Sequence, residues 1–137
     1  MKEFIVVVAA LLLLIAFPIQ ALFDAAFDSR QAEFDAIVRS FAEKARIEGC
    51  FTADLISDMK TEICSRLSGL SPGDITVVAT TSKKYRGEDA NGDSLIGFSV
   101  SMPMRNRFIG GVVFGNAAAG NTMAYTCAGQ VYSEATP

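Results

Sequence analysis

An unbroken apolar run near the N-terminus, FIVVVAALLLLIAFPI from Phe4 to Ile19, constrains this chain more than any other feature. No charge stands between Glu3 and Asp24. Phe4 to Phe23 as a helix spans about 30 Å at roughly 1.5 Å per residue, enough to cross a bilayer core. At Asp24 the pattern does not stop. It changes, with no turn signal, into an amphipathic helix that reaches about Glu48. The spacing therefore predicts one rod of about 65–70 Å.

The 137 residues leave room for one small domain beyond that rod, its core of marginal size. Three segments are expected: residues 1–23 as a hydrophobic membrane or filament-core helix, 24–48 as its amphipathic continuation, and 49–137 as a small globular head. A formal net charge of −3 argues against nucleic acid as a partner, since no basic stripe is present to release counterions. The absence of histidine removes the commonest general base, metal ligand and near-neutral pH switch together.

Lys2, the apolar stretch and Ile19-Gln20-Ala21 also have the pattern of a secretory signal with a small residue at its cleavage site. The n-region is neutral, however, because Glu3 offsets Lys2, and the expectation is that the segment is retained. Lys2 then stays inside, while Asp24 and Asp28 open the outer flank and the head faces outward. Pro18 cannot donate to the carbonyl of Leu14, so a kink or local melting is expected there.

Beyond Phe23 the apolar positions are Phe27, Phe34, Ile37, Val38, Phe41, Ala42 and Ala45, with Phe27, Phe34 and Phe41 seven apart. Charged residues fill the other faces, giving one apolar stripe. Asp35 and Arg39 are placed for an i,i+4 pair. Some of the phenylalanines must pack under the head; Phe23 and Phe27, nearest the membrane, are expected to meet other subunits.

Gly49 is the expected left-handed cap of the rod. Thr52 should cap a second helix, ADLISDMKTEICSRLSG, with Ile56, Met59, Ile63 and Leu67 facing inward. About four strands follow: Asp74 to Ser82, Leu95 to Met102, Phe108 to Phe114 (with Gly110-Gly111 allowing a bulge or close packing) and Met123 to Tyr132. Asn91-Gly92, Pro103 and Gly120-Asn121 fall in the connections, so a sequential antiparallel sheet is expected. The fold class is thus α+β, with a long N-terminal helix, a short second helix and a small antiparallel sheet.

Chemistry-bearing motifs are sparse. Asp89, Asn91 and Asp93 alternate as at the start of a calcium loop, but Ser94 stands where that motif wants Gly, and the later bidentate Glu is missing. A solvated hairpin tip explains the same residues, and no metal or cofactor is expected. Cys50 and Cys64 flank the second helix, about 18–20 Å apart if it is straight, whereas a bridge needs Cα atoms within about 7 Å. Cys127 shares an inward strand face with Tyr125 and Val131. A Cys64–Cys127 disulfide is therefore expected, with Cys50 as the alternative partner and three free buried thiols as the competing reading. No G-x-S-x-G, nucleotide-loop glycines, Cys-x-x-Cys or Cys-x-x-Cys-His is present, so no enzyme is expected.

The hydrophobic half-helix broken by proline, its amphipathic continuation and the small antiparallel sheet resemble the type IV pilin and pseudopilin design. The stretch AEKARIEGCF, a short helix and then DITVVATT is more similar to the TadE-like pilin proteins of tight-adherence systems. There is no Gly-Phe-Thr start, and the acidic residue is Glu3 where type IV pilins carry theirs at the fifth mature position. The resemblance implies long helices bundled at a filament core, a membrane pool feeding assembly machinery, and Glu3 neutralising a neighbour's N-terminal amine. Leu13, Pro18, Phe23 and Phe27 then join Glu3 as assembly residues.

Two functions are compatible with these features. One is a homopolymeric subunit of a cell-surface filament with a single-pass inner or cytoplasmic membrane precursor. The other is a single-pass anchored extracytoplasmic binding or accessory module that does not polymerise.

Overall fold

In the computed structural model, which describes residues 2–87, 94–105 and 122–136, the chain is α+β. Helix α1 runs Lys2–Glu48 without interruption and continues through Pro18. Helix α2 follows at Ala53–Arg66, then a 3-10 turn at Pro72–Asp74 and strands β1 (Thr76–Ala79), β2 (Leu95–Arg105) and β3 (Thr122–Tyr132). The strands form an antiparallel sheet in the order β1-β2-β3. The expected strand at Phe108–Phe114, with Gly110-Gly111, lies outside the described residues.

The chain divides into two compact units, Met1–Arg30 with Arg105–Met123, and Gln31–Met104 with Ala124–Pro137. The last third of α1 therefore folds with α2 and the sheet. Phe34, Ile37, Val38, Phe41, Ala42 and Ala45 of α1 are buried with Leu55, Met59, Ile63 and Leu67 from the α2 region and Ile96, Phe98, Val100, Met102 and Met104 of β2. Fully burying side chains such as Phe34 and Ile63 stabilises by about 1.5–3 kcal/mol each, before the entropy of ordering them is subtracted. The inward face of α2 is Leu55, Met59 and Ile63, while Ile56, expected there, is only half-buried. Both positions lie within the helix's apolar arc, and packing favours the one in line with Met59 at i+4.

Two caps set the corner between the helices. Gly49 closes α1 with φ +89°, and its N–H donates to the Ala45 carbonyl (2.8 Å). Thr52 Oγ1 accepts from the Leu55 N–H (3.3 Å) as N-cap of α2. The Lys84 N–H donates to the Gly49 carbonyl (2.9 Å) and the Phe51 N–H to the Thr80 carbonyl (3.0 Å), tying this corner to the chain leaving β1. A Cβ on Gly49 would stand 2.6 Å from the Lys84 carbonyl oxygen, so close approach as well as φ demands glycine.

Strand β1 is shorter than expected, because Ser71 and Asp74 close a 3-10 turn. The Asp74 carboxylate accepts from the Ser71 N–H (2.9 Å) and Oγ (2.8 Å). Its register pairs Thr76 with Ser101 and Ala79 with Phe98. Strand β2 is longer than expected and contains Pro103. The Thr80 N–H donates to the Gly97 carbonyl and the Gly97 N–H to Thr80 Oγ1, so Gly97 turns its backbone toward β1, as do alternate residues through Pro103. β1 begins opposite Ser101, and Pro103 consequently sits where no β1 carbonyl awaits a donor. In β3, Tyr125, Cys127, Gly129 and Val131 are half-buried on one face, the alternation expected.

Candidate functional site

Among the described residues, α1 is the helix long and apolar enough to cross a membrane, and its most apolar stretch has no buried residue. A signal sequence near an N-terminus meets the same criteria. Leu13 and Leu14 are more than 70 % exposed and Phe17 is 83 % exposed. Contiguous apolar surface on soluble monomers rarely exceeds a few hundred Å², and this segment presents far more. Glu3 and Pro18 are likewise exposed, whereas Phe23 and Phe27 are half-buried. The first polar side chain after the run is engaged: Gln20 Nε2 donates to Asp24 Oδ1 (2.9 Å).

In the second unit, chemistry concentrates where β3 meets α1. Tyr125 Oη donates to Asp35 Oδ2 (3.1 Å), and its ring stands edge-on to Phe34 with centroids 5.9 Å apart. Asp35 Oδ1 is buried without a hydrogen bond of ordinary geometry, although the Cys127 thiol lies beside the carboxylate. Asp35 thus serves Tyr125 rather than pairing with Arg39; ion pairs form at Arg46–Glu43, Arg46–Glu134 and Arg66–Glu62. A half-buried phenol is a stronger demand on the carboxylate than an exposed arginine, whose pairing is worth little in water.

Burial, and then the Asp35 carboxylate, pushes the Cys127 thiol up to about 11, with Arg39 opposing. The same two causes raise Tyr125. Both groups are therefore held protonated at neutral pH. This arrangement donates hydrogen bonds to a carboxylate; it offers no activated nucleophile, because the thiolate is the reactive form.

Cys50, Cys64 and Cys127 are all free thiols, which corrects the expected Cys64–Cys127 bridge and its Cys50 alternative. The geometry of α1 supplies the reason. At about 100° per residue, Asp35 and Arg39 lie roughly 100–180° around the axis from Glu33, Ser40 and Lys44. Cys127 sits against the first flank, while Glu62 and Arg66 of α2 line a groove with the second. The strand that carries Cys127 and the helix that carries Cys64 thus meet different flanks of α1. Cys50 lies past the end of α1 at Glu48, which is about 20 Å along the axis from Asp35.

The chain after β3 forms a clasp that sequence reasoning did not find. The Ser133 N–H donates to the Ser94 carbonyl (2.8 Å), the Glu134 N–H to the Arg46 carbonyl (2.8 Å) and the Arg86 N–H to the Ala135 carbonyl (2.8 Å). Buried Ser133 Oγ donates to the Lys84 carbonyl (2.6 Å). Arg46 bridges Glu43 (3.0 Å) and Glu134. The hydrogen bond and charge of Glu134 raise the Arg46 guanidinium, and Arg46 in turn lowers the Glu134 carboxyl. Nothing local marks Glu134 as a partner 88 residues from Arg46.

Asp89, Asn91 and Asp93 lie outside the described residues. Among those described, no three His, Cys, Asp or Glu side chains converge to hold a metal. Comparison with protein-family models, with curated proteins and with solved structures finds no match.

Proposed function

We propose that this chain is a structural, non-catalytic subunit of a pilus-like filament at the cell surface, held in the membrane by the apolar part of α1 before assembly and polymerising with copies of itself through that helix. Assembly machinery would lift it from the bilayer, and the type IV pilin design, TadE-like in layout, is the family reading adopted. The observation that carries the proposal is the exposure of every residue of α1 from Phe4 to Ile15, and again of Phe17, within a helix whose C-terminal third is core to the second unit. A lipid-facing anchor needs apolar character there; a filament needs protein contacts around it.

Phe17→Ala separates the two. Phe17 is 83 % exposed, so its truncation leaves the chain's own packing intact, and the remaining run stays apolar enough to insert. In a packed filament core the same change costs about 3–5 kcal/mol per subunit. Electron microscopy of material sheared from cells should show filaments for the parent chain and none for Phe17→Ala, with the variant still membrane-inserted. Normal filaments in the variant, or no filaments from the parent chain with function retained, would overturn the proposal in favour of an anchored binding or accessory module.

A further inference from the structure

We draw no further inference here: the strongest candidate, the exposed and uncharged stripe of Ala32, Ala36 and Ser40 on α1, is a row of small residues with no bound group beside it, and nothing in the structure shows what covers it.

Discussion

Gly49 and Gly69 offer a controlled measurement of how tightly the corner after α1 is built. Their backbone angles are nearly identical, φ +89° and +88°, but their surroundings differ. Around Gly69 a Cβ would meet nothing within 4 Å, so Gly69→Ala bears only the left-handed backbone cost of about 1–2 kcal/mol. At Gly49 the same methyl would stand 2.6 Å from the Lys84 carbonyl oxygen and 2.9 Å from the Ala135 Cβ. The Lys84 oxygen is backbone, held by Ser133 Oγ, so relief requires the Gly49–Lys84 hydrogen bond and the clasp to shift together. Overpacking of that kind adds about 1–3 kcal/mol, bringing Gly49→Ala to about 2–5 kcal/mol. The assay is urea unfolding of the full chain in detergent micelles, followed by tyrosine fluorescence. With no tryptophan present, Tyr85, Tyr125 and Tyr132 report on the second unit alone. In thermal melts the difference between the variants should appear as roughly 4–8 °C per kcal/mol for a unit of this size. Equal destabilisation by the two substitutions, within about 0.5 kcal/mol, would refute the close approach of Gly49 to Lys84 as the reason for glycine there.

Tyr125→Phe should destabilise by about 1–3 kcal/mol in the same urea assay, because it removes the Oη–H donor from a carboxylate whose other oxygen is already poorly served; an unchanged midpoint would show that water already serves Asp35. Alkaline pH should weaken the fold. Cys127 has a folded pKa of about 11 against an ordinary 9.0, so its contribution is complete below pH 9 and is lost as pH rises through that interval. Tyr125 is shifted in the same direction, and Cys127→Ala should flatten the lower part of the curve; a wild-type midpoint constant from pH 8 to 10.5 contradicts this. Alkylation of protein denatured without reductant should find three thiols, and recovery of a linked Cys64–Cys127 peptide would reinstate the disulfide.

What the sequence determined by itself was governed by contacts a few residues apart. The change from apolar run to amphipathic stripe without a turn signal set the length of α1, since helical hydrogen bonds reach only four residues. Gly49 and Thr52 marked the helix ends because capping is equally local. Alternation of Ile96, Phe98, Val100 and Met102 fixed the buried face of β2, and that of Tyr125 and Cys127 fixed the inner face of β3. The exposed apolar segment on which the proposed function rests was legible for the same reason. Tertiary structure alone decided the partners. Whether Asp35 faced Arg39 one turn away or Tyr125 ninety residues on depended on where β3 lies against α1. Pro103 was acceptable inside a strand only because β1 begins opposite Ser101. Arg46 found Glu134 through the clasp, and β3 with Cys127 and α2 with Cys64 came to rest on different flanks of α1. Periodicity states which side of an element is buried; it carries no information about which other element arrives to bury it.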